Sequence, residues 1–126
     1  MKGIEISMTE TRLSETQLLE ELREALDNKF AKDIVILDIS TLSVLGDYFV
    51  IATGENENQL RAMGEAVEAC LHKNKINLKH KEGIQSNANK SGWSLLDFGS
   101  IIVHLFDQEA RDFYNLERIW ADARAV

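Results

Sequence analysis

WSLLDFGSIIVHLF, residues 93–106, contains two short apolar runs joined by a glycine and a serine. Each run has the length of a β-strand, and Gly99 can supply the positive φ that a type II′ turn needs at its first central position. The pattern therefore predicts a β-hairpin with a two-residue loop. In this register Phe98 faces Ile101 and Trp93 faces Phe106.

Side chains alternate between the two faces of such a hairpin. One face is almost wholly apolar and suits a core; it consists of Ser94, Leu96, Phe98, Ile101, Val103 and Leu105. The other face mixes large apolar groups with an acid and an imidazole; it consists of Trp93, Leu95, Asp97, Ile102, His104 and Phe106. A mixed face of this kind indicates contact with a partner, and Trp93 is its best anchor because tryptophan is enriched at interface centres.

The chain before the hairpin predicts helices alternating with strands. Ser14 and Gln17 form a capping box, and apolar residues every four positions up to Phe30 indicate an amphipathic helix. Two apolar runs, at 34–37 and 48–52, predict strands. Asn56 then caps a second helix, whose inward stripe is Leu60, Met63, Val67, Cys70 and Leu71.

The remaining segments complete an α/β pattern. Residues 76–81 alternate apolar and basic, as an edge strand does. A last helical segment follows from about Asp107. The order of elements predicts an α/β domain with a mixed sheet and helices packed across it. We expect residues 1–13 to be a flexible leader and residues 14–126 to be a single domain.

Composition narrows the class of protein. The chain has 126 residues, a net charge of −7 and one cysteine, Cys70. No signal peptide or membrane-spanning run is present, so we expect a cytoplasmic protein that does not contact membranes. The negative charge argues against non-specific nucleic-acid binding and favours a basic protein partner. The lysines between Lys73 and Lys81 leave a secondary contact with RNA open.

Catalytic and metal signals are weak. Asp97 and His104 lie diagonally across the predicted hairpin, but no serine or cysteine nucleophile stands beside them. A partly buried histidine, satisfied by a carboxylate or by water, is the better interpretation. His72, His80 and His104 lack the spacing of a metal site. We therefore expect no cofactor, no metal and no catalytic residue.

An aromatic segment follows the hairpin. Phe113, Leu116 and Trp120 are spaced to share one face of a helix. We expect Phe113 and Leu116 to seal the core, and Tyr114 and Trp120 to be more open because each has a polar tip.

Six segments together resemble the ribosomal silencing factor family, also called Iojap-like proteins. They are DIVILDIS at 33–40, DYFVIATG at 47–54 with Gln59 beyond it, EG at 82–83, GWSLLDFG at 92–99, IIVHLF at 101–106, and FYNLERIW with Asp122 at 113–122. The resemblance covers the chain from Ser14 to Asp122 in order.

That resemblance implies a nucleotidyltransferase-like topology without nucleotidyl transfer. It also implies docking on the large ribosomal subunit, at the basic large-subunit protein fourteen, which blocks joining of the small subunit and lowers translation when nutrients are scarce. The implied contact residues are Trp93, Leu95, Leu96 and Asp97, with Tyr48, Tyr114, Glu117 and Trp120 beside them. The face argument supports Trp93, Leu95 and Asp97 independently but places Leu96 on the other face.

Three features depart from the family pattern, and two further hypotheses for the function stay open beside it. Asn56 and Ser100 stand where the family usually has Ser and Asp, and the loop Ile84–Ser91 before Trp93 is long. One alternative is a divergent nucleotidyltransferase with Asp38, Asp47 and Asp97 around a metal. The other is a self-associating scaffold, in which the apolar hairpin face pairs with a copy of itself; such a homodimer is also compatible with silencing.

Overall fold

The computed structural model describes the backbone of residues 2–44, 46–83, 92–115, 118 and 121–126, and side chains within those ranges from residue 15 onward. The helices are α1 (Lys2–Asp27), α2 (Glu57–Lys73) and α3 (Gln108–Tyr114). The strands are β1 (Lys32–Asp38), β2 (Tyr48–Thr53), β3 (His80–Gly83), β4 (Trp93–Asp97), β5 (Ile101–Phe106) and β6 (Arg124–Ala125).

All six strands form one sheet in the order β3-β4-β5-β2-β1-β6. Strands β2 and β5 pair in parallel, whereas the other neighbouring pairs are antiparallel. The predicted mixed sheet is therefore confirmed. Among the described residues, no helix combines the length and the apolar composition needed to cross a bilayer.

Apolar residues cover both faces of this sheet. Helices α1 and α2 pack on one face, which we call the helix side, and Leu22, Leu26 and Leu60 are among its fully buried or nearly buried residues. The opposite face, which we call the outer face, carries a smaller cluster around Phe49 and Phe106. That cluster includes Ala110 of α3, so the short helix shields part of the outer face.

The hairpin of β4 and β5 has the predicted register. Trp93 pairs with Phe106, and the Phe98 N–H donates to the Ile101 carbonyl at 2.9 Å, which closes a two-residue loop. Gly99 has φ +93°, the positive value that the turn requires. The face predicted to enter the core is buried along its whole length.

The start of α2 is also confirmed. The Asn56 Oδ1 accepts from the Gln59 N–H at 2.8 Å, and the Gln59 Oε1 accepts from the Glu55 N–H at 2.6 Å. The Gln59 amide donates in turn to the carbonyls of Lys29 and Phe30, each at 3.0 Å. One side chain thus caps α2 and joins it to the end of α1. The predicted stripe of α2 faces the core, with Cys70 partly buried and the pKa of its thiol raised by that burial.

Three element boundaries differ from the sequence prediction. Helix α1 begins at Lys2, so Ser14 lies inside it and is not its N-cap. Residues 4–26 contain no proline or glycine, and a capping box does not end a helix that extends through it. Strand β3 lies at the sheet edge as expected, but it occupies His80–Gly83. Strand β6 was not predicted, because two residues carry no detectable alternation.

Helix α3 is shorter than the aromatic pattern of residues 113–120 suggests. Helix α3 ends at Tyr114, and Asn115 adopts the left-handed conformation with φ 47° and ψ 54°. The prediction that Phe113 seals the core is therefore wrong: its side chain is 80% exposed. Leu116, Glu117 and Trp120 lie outside the described residues, and so does the loop 84–91 that precedes Trp93.

Candidate protein-docking surface

Three residues of β4 point to the outer face at the end of the sheet. Trp93, Leu95 and Asp97 are each half-buried, and they alternate with residues that face α2. On the neighbouring edge strand, Glu82 pairs with Leu95 and His80 pairs with Asp97. Paired residues share a face, so the row of Trp93, Leu95 and Asp97 is bordered by a polar rim. The His80 Nε2 lies 2.5 Å from the Glu82 Oε2 within that rim.

Trp93 is held in an aromatic environment. Its indole N–H donates to the His104 Nδ1 at 3.5 Å, and its ring lies 6.2 Å from the Tyr114 ring between centroids. Tyr114 stacks on buried Phe106 at 5.7 Å and contacts exposed Phe113 edge-on at 5.1 Å. The rings therefore form a continuous layer from the interior of the outer face to its exposed border.

His104 belongs to the buried part of this layer. It is 8% exposed, stacks on Phe106 with ring centroids 5.9 Å apart, and lies 5.1 Å from the ring of Phe49. Burial lowers the pKa of this imidazole from 6.5 to about 4, because an apolar environment disfavours the charged form. We expected a carboxylate or water as its partner; the structure shows the Trp93 indole in that place.

The Asp97 carboxylate is engaged at the turn. Its Oδ1 accepts from the Gly99 N–H at 2.8 Å, which fixes the carboxylate beside the loop of the hairpin. The diagonal pair of Asp97 and His104 considered from the sequence is thus replaced by two separate contacts. Asp97 remains half-buried, so its charge is available at the surface.

Two of the implied contact residues lie on the helix side. Leu96 is fully buried against the core formed with α1 and α2. Tyr48 pairs with buried Ile101 on the same side, and its hydroxyl donates to the Glu15 Oε1 at 3.5 Å. Burial also raises the pKa of Tyr48. Both side chains lie on the opposite face of the sheet from Trp93, because side chains alternate along a strand.

The implied contact residues divide between the two faces of the sheet. Trp93, Leu95, Asp97 and Tyr114 lie together on the outer face, whereas Leu96 and Tyr48 lie on the helix side. Glu117 and Trp120 fall outside the described residues. Phe113 joins the group, although its exposure depends on the left-handed Asn115, which the sequence pattern did not reveal.

The acids of the nucleotidyltransferase alternative do not converge. Asp97 lies on β4 and Asp38 on β1, and the two intervening strands place them roughly 14 Å apart at the usual strand spacing. Asp38 is engaged locally: Ser40 donates to its Oδ1 from both the backbone and the hydroxyl, which lowers the pKa of the carboxyl. Within the described ranges, no three His, Cys, Asp or Glu side chains are grouped as metal ligands.

Arg111 anchors α3 against the sheet. It is 7% exposed, and its Nη1 donates to the Asp33 carbonyl at 2.6 Å and to the Thr53 Oγ1 at 2.7 Å. At the start of α3, the Asp107 N–H donates to the Gly92 carbonyl at 2.8 Å. Sequence reasoning missed Arg111, because an arginine in a polar helical turn carries no signal of burial.

These features define a small α/β domain, with one face of its sheet covered by helices and an aromatic, acid-bordered row open at one end of the other face.

The family model described as "Ribosomal silencing factor during starvation" (RsfS) matches residues 12–126. The ribosomal silencing factor RsfS of Bacillus subtilis is 33% identical over 88% of this chain and 91% of its own length. A crystal structure from Chromobacterium violaceum superimposes with a TM-score of 0.76 at 30% identity, covering 84% of this chain and 85% of that one. A second, from Bacillus halodurans, gives a TM-score of 0.72 at 31% identity, covering 88% and 97%.

The chain belongs to the ribosomal silencing factor family. Family membership carries a general role in ribosome silencing and translation regulation, and it confirms the resemblance found in the sequence.

Proposed function

We propose that this protein docks on the large ribosomal subunit, at the basic large-subunit protein fourteen, and blocks joining of the small subunit in the cytoplasm when nutrients are scarce. The observation that carries the proposal is the half-exposed row of Trp93, Leu95 and Asp97 on the outer face, in a chain of this family. The rest of the outer face is largely buried, so this row is where a partner can make apolar contact.

The chemistry of the row suits a basic protein. Trp93 and Leu95 supply apolar area, and a tryptophan anchor at an interface centre contributes on the order of 2 kcal/mol or more. Asp97 supplies a charge that the Gly99 N–H holds in one position, so little side-chain entropy is lost on pairing with a lysine or arginine. The net charge of −7 adds long-range attraction for a basic partner.

Steric occlusion needs no catalytic group. A rigid domain seated on the joining face excludes the small subunit by volume, so we propose a regulatory role without catalysis. The separation of Asp38 from Asp97 also removes support for the nucleotidyltransferase alternative.

Co-sedimentation with separated ribosomal subunits tests the proposal. We expect the protein to pellet with large subunits and not with small subunits, and Trp93→Ala to weaken that binding about thirtyfold, which corresponds to about 2 kcal/mol. Phe30→Ala is the matched control, because Phe30 is an 81% exposed aromatic in the turn after α1, beside the start of α2. Equal binding by both variants would refute the assigned surface.

Two further measurements separate the partner from the mechanism. Titration of the purified large-subunit protein fourteen by calorimetry should show binding that Trp93→Ala weakens to the same degree. Light scattering of mixed subunits should show slower joining in the presence of the protein. Large-subunit binding without an effect on joining would contradict occlusion.

The apolar hairpin face is buried in the core, so it cannot pair with a copy of itself as the sequence suggested. Self-association through the outer face is a second candidate, favoured by the exposed rings of Phe113 and Tyr114 beside Trp93. A homodimer of this kind would cover the docking row and compete with the ribosome. Light scattering after size exclusion measures the mass directly; a dimer that Phe113→Ser dissociates would support this arrangement, and a monomer at all concentrations would exclude it.

A further inference from the structure

A buried imidazole inside an aromatic layer requires an explanation. His104 is surrounded by Phe49, Phe106 and Trp93, and phenylalanine would fill a similar volume without desolvating a polar ring. Buried side chains of this type are retained where their hydrogen-bonding atoms have partners. Among the described residues, no buried side-chain nitrogen or oxygen lacks one.

The contact with Trp93 fixes the role of the imidazole. The indole N–H can only donate, so the His104 Nδ1 must accept and the proton of the neutral ring must sit on Nε2. Trp93 lies two residues from Leu95, the residue that pairs with His104 across the hairpin. A short, regular hairpin therefore places the acceptor under the indole of the exposed row.

We infer that His104 is a positioning residue for docking: its Nδ1 holds the Trp93 indole in one orientation on the outer face. The link to the ribosome rests on the proposed function, whereas the orientation of Trp93 does not. A preoriented anchor loses less rotational freedom when a partner binds, which strengthens binding without any new contact.

Other roles for His104 fit the structure less well. A direct contact with the partner is excluded by its 8% exposure. A role as a general base oriented by Asp97 would need that carboxylate, which instead accepts from the Gly99 N–H. Packing alone predicts that a phenylalanine at this position would leave Trp93 unchanged, and that prediction distinguishes the two ideas.

Nuclear magnetic resonance of the full chain tests the inference. The two tryptophans give two indole N–H signals, and Trp120→Phe identifies the one from Trp93. We expect His104→Phe to shift this signal and to speed its exchange with solvent roughly 2- to 10-fold, the range that corresponds to one lost hydrogen bond. His104→Asn should restore the native exchange rate, because the amide oxygen can take the place of Nδ1.

Phe49→Leu is the matched control, because it alters the packing around the imidazole and leaves the acceptor in place. An unchanged exchange rate of the indole N–H in His104→Phe would overturn the inference, and so would an equally faster exchange in His104→Phe and His104→Asn. Should His104→Phe fail to fold, the long-range nitrogen spectrum of the unmodified protein decides: a protonated Nδ1 overturns the inference, and an unprotonated Nδ1 bonded to the indole supports it.

Binding to large subunits separates this inference from the proposed function. We expect His104→Phe to weaken binding about fivefold and His104→Asn to restore it, a difference of about 1 kcal/mol. A changed indole signal in a chain whose native form does not bind large subunits would leave the positioning role standing and refute the docking proposal. Native binding to large subunits, together with an unchanged indole signal in His104→Phe, would support the docking proposal and refute the positioning role.

Discussion

Replacing Arg111 with methionine should destabilise the protein strongly, although the substitution lies in a helix of only seven residues. The guanidinium is 7% exposed and donates to the Asp33 carbonyl and the Thr53 hydroxyl. Methionine fills much of the same volume but donates nothing. The buried Thr53 hydroxyl would therefore lose its donor, whereas the carbonyl of exposed Asp33 could bind water instead.

The expected magnitude follows from those two contacts. A buried acceptor left without a partner costs about 1–3 kcal/mol, an acceptor that water can reach costs less, and removing a buried charge returns part of the loss. We expect a net loss of about 1–3 kcal/mol in the free energy of unfolding. For a domain of this size that corresponds to a fall of roughly 3–9 °C in the melting temperature.

Urea unfolding followed by circular dichroism measures this loss. Arg61→Met is the matched control, because Arg61 is exposed on α2 and its replacement should change stability by less than about 0.5 kcal/mol. A double-mutant cycle with Thr53→Val should give a coupling of about 1 kcal/mol or more, since the two side chains share one hydrogen bond. A loss below about 0.5 kcal/mol in Arg111→Met, or zero coupling, would refute the anchoring role.

Three further predictions concern the hairpin and its surroundings. Asp97→Asn retains an oxygen for the Gly99 N–H, so Asp97→Ala should be less stable than Asp97→Asn by about 1 kcal/mol in urea, while both variants should associate more slowly with a basic partner at low salt. Gly92→Ala should lose at least about 2 kcal/mol in the same assay, because φ is +63° and the new Cβ would clash with the Oδ2 of Asp107, whose Oδ1 caps α3. The pKa of His104 is about 4 in the folded chain and 6.5 without burial, so the unfolded state takes up the proton first as the pH falls. The free energy of unfolding should therefore decrease between pH 6.5 and pH 4, by up to about 3 kcal/mol. Melting curves across that range should lose this component in His104→Phe, and an unchanged pH dependence would contradict the buried, neutral imidazole.

The hairpin was predictable because its information is local. Alternation with a period of two, interrupted by one glycine, determines both the turn and the faces, and Trp93, Leu95 and Asp97 follow from it directly. The same parity argument identified Leu96 as a core residue and, applied to β2, would have placed Tyr48 on the helix side. The buried faces of α2 and β5 were predictable for the same reason.

The features that were missed depend on contacts between distant segments. Arg111 is buried because a register shift in β1 and the end of β2 bring two acceptors to one point, which no periodicity reveals. Phe113 is exposed because α3 ends at Tyr114 and Asn115 adopts the left-handed conformation. Asparagine tolerates this conformation, but an asparagine in the sequence does not by itself predict it. The sequence predicted a carboxylate or water as the partner of His104, because Asp97 and Trp93 both lie diagonally across the hairpin from it. Only the structure of the turn shows that the Asp97 carboxylate already accepts from the Gly99 N–H.

The parallel pairing of β2 with β5 has a consequence for how the chain folds. Strands β1 and β2 form one ribbon of neighbouring segments, and β3, β4 and β5 form another. The two ribbons meet where β2 pairs with β5 in parallel, which we call the seam. Along the chain, β2 and β5 are separated by α2, β3 and β4. Closing that long loop is the step with the largest entropic cost, so we expect the seam to form late and to limit the folding rate. Shortening Val50 or Val103, which face each other across the seam, should then accelerate unfolding more than it slows refolding.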